Sequence, residues 1–162
     1  LFSLITILWY IHHNKLNGWH ISDALALPLV VGILIGRFGC LLVGLHTGIA
    51  TSFGLVYMRS GISYIAWPFL AILQWGIAII VLGMLEKRTN IPIGVLSLFT
   101  IGWWSLWRFF GDFLRANASV VGGDPRYFGL TPTQYLAIAI FISIVSIYII
   151  YFHKKNYSTS IV

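Results

Sequence analysis

The apolar residues of this chain fall in long unbroken runs, neither alternating nor confined to one narrow stripe. A helix that crosses a bilayer needs about 20 consecutive, mostly apolar residues. The pattern predicts five such segments: 1–11 (LFSLITILWYI), 22–45, 64–85 (YIAWPFLAILQWGIAIIVLGML), 93–111 and 132–152 (PTQYLAIAIFISIVSIYIIYF). A closed barrel is the other architecture that satisfies its backbone in lipid. These runs are too long for barrel strands and alternate too little. The expected fold is therefore an all-α, polytopic integral membrane protein, with residues 1–162 forming a single membrane domain. The first run starts at Leu1 and is short, so it reads as the remainder of a longer span whose N-terminal part is missing. It lacks the charged start and small-residue cleavage site of a signal peptide.

Local signals frame these runs. Ser22-Asp23 is expected to cap the second helix, and Thr131-Pro132 fits a cap followed by proline in the first turn of the last. Pro28 and Pro68 are expected as kinks tolerated inside spans. Segments 12–21, 46–63, 86–92 and 112–131 read as loops.

Composition agrees. Hydrophobic residues make up 59% of the chain and charged residues 9%, against about 25% charged in a soluble domain. The net charge of +6 need not mean nucleic acid, because the basic residues sit mainly at span ends, where orientation and lipid headgroups account for them. Lys15, Lys87, Arg88, Lys154 and Lys155 fall on one side of the expected bundle, and Arg59, Arg115 and Arg126 on the other. The first side has the shorter segments and more positive charge, so it is expected to be cytoplasmic, with the C-terminus. Cys40 is the only cysteine, which excludes an intrachain disulfide. His12, His13 and His20 lack acidic neighbours, so no metal site is expected among them. The seven tryptophans and eight tyrosines are read first as interfacial belts.

The exceptions inside the apolar runs carry the chemistry. Arg37 stands in GRFGCLLVGLHTG (36–48) and Arg108 in RFFGDFLR (108–115). At about 1.5 Å per residue both lie roughly 20 Å from the cytoplasmic end of their spans, in the outer half of the bilayer. Asp112 and then Arg115 continue the helix face of Arg108. An arginine inside a span usually faces protein or a water-filled cavity. The alternatives are a snorkelling Arg37 and an Arg108–Asp112 pair that only neutralises itself. Two arginines from different helices at one depth favour a phosphate ligand, because guanidinium forks match its oxygens. Gly36, Gly39, Gly44 and Gly48 permit close approach of either a helix or a lipid. His46 is a candidate acid or base, or an interfacial histidine. Cys40, one turn from Arg37, reads as a small hydrophobe.

Two blocks of sequence resemble the prolipoprotein diacylglyceryl transferase family. GRFGCLLVGLHTG resembles that family's signature segment, and RFFGDFLRANASVVGGDPRYFGLTPTQYLAI is similar to its C-terminal pattern, R-F-x-x-E-F-x-R followed by G-L-T-x-x-Q. IP-IG at 91–94 resembles the family's entry to the preceding helix. The resemblance implies a seven-span bundle of which these are the last five spans, in a bacterial plasma membrane, with the site in the outer-leaflet half. It implies transfer of diacylglyceryl from phosphatidylglycerol to the lipobox cysteine of a preprolipoprotein signal peptide, with release of glycerol phosphate and no cofactor or metal. It implies that Arg37, Arg108, Asp112 and His46 act in catalysis, and that Gly36, Gly39, Cys40, Gly44, Gly48, Arg115 and Gln134 contact substrate. Departures from the pattern are Asp112 for glutamate, Cys40 for the common asparagine, Leu45 for an acidic residue, Trp104-Ser105 for Tyr-Gly, and WPFLAIL (67–73) for His-Pro-x-x-Leu-Tyr-Glu. The family's histidine, in His-Gly-Gly, would fall upstream of Leu1. The other readings are a relative that binds anionic lipid without turnover, and a transporter or channel subunit in which the arginines line an anion path.

Overall fold

The computed structural model describes residues 2–89, 91–120 and 123–159. All five expected apolar segments are helical: α1 (Phe2–His13), α2 (Gly18–Val43), α3 (Trp67–Glu86), α4 (Val95–Gly111) and α5 (Pro132–Thr159). Among the described residues three helices are long and apolar enough to cross a membrane: Gly18–Val43, Trp67–Glu86 and Pro132–Ile149. The 12 residues of α1 and the 17 of α4 fall short of that length. The protein is thus a mostly helical membrane protein, and three of its helices among the described residues meet the length and hydropathy of a span.

The boundaries differ from those expected for identifiable reasons. Helix α2 starts earlier, because Asn17 is its cap and its side chain accepts from the Trp19 N–H. Asp23, expected to cap α2, works across the bundle instead. Its carboxylate accepts from the Gly94 and Ser97 backbone N–H groups at 2.6 and 2.8 Å, and from the Ser97 hydroxyl at 2.8 Å. Helix starts leave several N–H donors without an intrahelical partner, and α4 has no side-chain cap of its own at Gly94. Pro28 does lie inside α2. Pro68 lies in the first turn of α3 and not at a kink in its middle; there the missing N–H removes no helix hydrogen bond. Thr131 caps α5 as expected. It forms a reciprocal capping box with Gln134, whose N–H donates to Thr131 Oγ1 while its Oε1 accepts from the Thr131 N–H.

The core joins α2, α3 and α4. Val30, Trp75, Ala78 and Leu82 are buried there, packed against Leu27, Leu34, Leu96, Phe99 and Trp103. Small residues at the contacts (Ala26, Ala71 and Ala78, all buried) bring the helices close, as bilayer helix pairs require. Outside that seam large apolar side chains such as Leu29, Ile35, Leu42, Ile77 and Ile80 are exposed. A continuous apolar exterior of this kind suits lipid and not water.

The segment expected as a loop between α2 and α3 contains a three-stranded antiparallel sheet. Strands β1 (Thr47–Ala50), β2 (Val56–Arg59) and β3 (Ile62–Ala66) lie in the order β1-β3-β2. Ser60 and Gly61, both at positive φ, turn β2 into β3, the backbone that a two-residue hairpin favours. Tyr57 donates its hydroxyl to the Leu41 carbonyl at 2.9 Å and ties the sheet to the end of α2.

Replacing Asp23 by alanine leaves the start of α4 without its cap. An Asp23→Ala protein is expected to lose about 1–3 kcal/mol of stability, read as a lower thermal midpoint in detergent. An unchanged midpoint would contradict the cross-bundle cap.

Candidate functional site

Three guanidinium groups converge on one indole ring. The Cζ atoms of Arg37, Arg108 and Arg115 lie 5.5, 5.5 and 5.1 Å from the ring centroid of Trp67, within cation–π range. Each arrives from a different element. Arg37 comes from α2 and Arg108 from the last turn of α4. Arg115 follows a short 3₁₀ turn, Asp112–Leu114 (η1), with extended backbone. Arg115 therefore does not continue the α4 face, as its spacing suggested, since the α-helix ends at Gly111. Trp67 opens α3 and is 1% exposed. Its Nε1–H donates to the Gly111 carbonyl at 2.9 Å, which fixes the ring against the end of α4.

The cations are unequally compensated. Arg108 faces Asp112 Oδ1 at 3.4 Å, and Arg115 pairs with Asp124 at 2.5 Å. Asp112 is fully buried. Its Oδ2 accepts from the hydroxyls of Thr131 and Thr133 at 2.9 and 2.6 Å, so α5 holds the carboxylate that faces Arg108. Among the described residues Arg37 has no carboxylate partner. A cavity of about 170 Å³ opens between Arg37, Arg108, Trp67, Trp75, Trp104, Trp107 and Thr133. Four of the tryptophans expected in interfacial belts thus wall an internal site. A larger groove, lined by Leu106, Phe109, Phe110, Ile138, Phe141 and neighbours, offers no charged group.

His46 stands beside the cluster at φ 61°, the left-handed region that histidine enters uncommonly. Arg115 approaches its Nδ1 at 3.0 Å. A guanidinium can only donate, so Nδ1 accepts and the proton of the neutral ring sits on Nε2. In that state neither nitrogen has a lone pair free to act as a base. Burial, reinforced by Arg115 and Arg37, holds the ring below its ordinary pKa.

The glycines of 36–48 divide into different roles. Gly36 and Gly39 have nothing within 4 Å of the space a Cβ would take. Gly44 ends α2 at φ 71°. Its N–H donates to the Leu41 carbonyl while the Leu45 N–H donates to the Cys40 carbonyl, the two bonds of a left-handed helix stop. Gly48 pairs in an antiparallel bridge with Arg115. A Cβ there would lie 2.8 Å from the Leu114 carbonyl oxygen and from Ile65. Cys40 is half-buried and free. Gln134 is fully buried, with both ends of its amide engaged by Thr131 and by the Phe109 carbonyl. It joins α4 to α5. Sequence reasoning missed Trp67, Thr131, Thr133 and Asp124 as members of the site. The Thr-Pro-Thr-Gln capping signal was the one pointer to the threonines.

The unequal space around the glycines has a measurable consequence. Gly48→Ala is expected to cost about 1–3 kcal/mol through overpacking, while Gly36→Ala and Gly39→Ala leave the thermal midpoint within error; equal effects at all three would refute the division. Stability should also fall on acidification. The unfolded His46 takes up a proton near its ordinary pKa of about 6.5 while the folded ring still resists. The loss therefore begins as pH drops through that value and stops growing once the lower folded pKa is passed. Denaturation of wild type and His46→Gln at about pH 7.5 and about pH 5.5 should show a steeper loss in the wild type.

No solved structure matches the chain. Among curated relatives, it is 27% identical over 138 residues to the phosphatidylglycerol–prolipoprotein diacylglyceryl transferase of Listeria welshimeri, covering 76% of this chain and 48% of that protein. The enzymes of the same name from Listeria monocytogenes and Listeria innocua are each 26% identical over the same coverage. The chain thus spans about half the length of the curated relatives it matches. The family model described as prolipoprotein diacylglyceryl transferase matches residues 1–151, and the chain belongs to that family.

Proposed function

We propose that this chain forms the phosphate-gripping part of an enzyme that moves diacylglyceryl from phosphatidylglycerol to the lipobox cysteine of a preprolipoprotein. The observation that carries this reading is the meeting of Arg37 and Arg108, from two helices, on one buried ring, with Arg37 lacking a carboxylate among the described residues. An unneutralised guanidinium beside a cavity in an apolar surround favours an anion strongly. The abundant anion of a bilayer is a lipid phosphate. The three guanidiniums with Asp112 and Asp124 leave one surplus positive charge, which suits the single charge of a phosphodiester.

In the proposed reaction the cysteine thiolate attacks the glycerol carbon that bears the phosphate oxygen. A C–S bond forms, the C–O bond breaks, and the electron pair leaves with glycerol phosphate. Negative charge grows on that leaving group, and fixed donors aimed at growing charge lower the barrier. Arg37 and Arg108 supply those donors, and Asp112 orients Arg108. His46, bonded to Arg115 through Nδ1, holds that arginine, and the thiol proton passes to a general base as the thiolate forms. Helices α1 and α4 complete five spans, with the C-terminus cytoplasmic and the arginines in the outer half of a bacterial plasma membrane. Gly36, Gly39 and Cys40 lie on the same helix as Arg37, and Gly36 and Gly39 leave open backbone along which lipid can pass.

A second reading is a relative that binds anionic lipid without turnover. It is favoured by Leu45 and Trp67, where the family pattern has acidic and histidine residues.

The protein, expressed from its complete gene in membranes lacking any other such transferase, is expected to move label from phosphatidylglycerol onto a lipobox peptide. Arg37→Ala and Arg108→Ala should each reduce transfer by about 100-fold or more. Near-normal transfer in either variant would remove this mechanism. Binding of phosphatidylglycerol with no transfer by the wild type would leave the second reading.

A further inference from the structure

Trp67 stands where the resemblance places a histidine, and nothing in the family pattern gives a tryptophan a role there. From the geometry we infer that Trp67 is a positioning residue for the anion site: its π face gathers Arg37, Arg108 and Arg115 and takes up none of their N–H groups, so that the edge of Arg37 stays open to the ligand. The inference rests on the function proposed above and adds a determinant of how that site is held together.

Three like charges within reach of one ring repel one another, and an apolar surround strengthens the repulsion. Asp112 and Asp124 answer two of them. A third carboxylate would answer Arg37, but it would bind the guanidinium edge that a phosphate needs and would remove the surplus charge. An indole avoids both effects. Its quadrupole attracts a cation over the ring face, carries no net charge, and offers no acceptor to compete for N–H groups. All three Cζ atoms stand at 5.1–5.5 Å from the centroid. The ring is immobilised: it is 1% exposed and bonds to the Gly111 carbonyl. A histidine at this position could itself become positively charged and add to the repulsion. The tryptophan is therefore a different way of organising the cations and not a mere loss of the family residue.

The test separates π electrostatics from packing. Tryptophan carrying increasing numbers of ring fluorines is placed at position 67 alone, in the protein from its complete gene. Fluorination weakens the quadrupole while keeping the shape and the N–H. Binding of labelled phosphatidylglycerol is measured in phosphatidylcholine nanodiscs, alongside transfer to a lipobox peptide. Affinity is expected to fall stepwise with each fluorine, to about one-tenth for the most fluorinated ring, in protein that remains folded at the assay temperature. Trp67→Phe, which keeps a π face but loses the bond to Gly111, should stay closer to wild type than Trp67→Leu. Affinity independent of fluorination overturns the inference even if transfer is intact, because packing alone then explains the residue. A stepwise loss of binding in a protein that transfers nothing supports the role of Trp67 and overturns the transferase reading. Absence of phosphatidylglycerol binding in the wild type overturns both.

Discussion

Like-charge repulsion among three arginines in an apolar protein is the constraint around which the rest of the structure is arranged. An arginine within a bilayer costs a few kcal/mol or more unless something compensates it, and here three meet at one ring. The segment from Asp112 to Thr131 supplies the compensation. Asp112 is held by two threonine hydroxyls at the start of α5, and Asp124 is brought back to Arg115. Arg126 donates to the carbonyls of Asp112 and Arg115, both at 3.1 Å, and clamps the segment that carries both anions. Removing either carboxylate leaves a buried guanidinium without its anionic partner, and that asymmetry makes such networks rigid.

The same constraint explains the abrupt backbone around residue 44. Arg37 must leave α2 toward the cluster, and the chain must then turn at once to bring β1 against Arg115. Gly44 stops the helix and His46 adopts a left-handed conformation two residues later. Thr47 and Gly48 then dock on the segment that follows η1, where the Ala116 N–H donates to the Thr47 carbonyl at 3.0 Å. Only glycine fits at 48, because the Leu114 carbonyl occupies the space a side chain would need. A strained non-glycine residue persists where its surroundings hold it. His46 is held by Arg115 on one side and by the edge of Trp67, 6.2 Å away between ring centres, on the other.

The helices were legible in the sequence because a long apolar run fits little besides a helix in lipid or in a large core, and Arg37 and Arg108 were legible because charge is rare within such runs. Partnerships across the bundle stayed hidden. Ser22-Asp23 has the composition of a cap, but composition does not say which helix is capped, and Asp23 serves α4. Proline reads alike at a kink and at a start, so the entry to α3 was displaced. The sheet was missed because its strands have four or five residues and little alternation; Ser60-Gly61 was its one local sign. Tryptophan in a membrane protein suggests the interface, and nothing in the spacing of Trp67 distinguishes an interfacial ring from a buried platform. Gln134 can be read in two ways. A motif match suggested substrate, whereas Thr-x-x-Gln is also a capping box, and the amide is used on helix ends.

The surplus charge of the cluster bears on how a reaction there could be driven. With a phosphodiester in the cavity the site is close to electrically balanced. As a C–O bond breaks, the leaving phosphate gains a second negative charge that the two carboxylates cannot answer. The groups able to answer are those whose N–H edges are not already committed. Arg108 and Arg115 share theirs with Asp112, Asp124 and His46; Arg37 lies against the face of Trp67, which takes none of its N–H groups. Stabilisation that grows with the charge of the leaving group, and not with that of the bound lipid, is what separates catalysis from tight binding. Under the proposed reaction Arg37 would contribute most after the substrate is seated, because among the described residues no carboxylate holds its N–H groups.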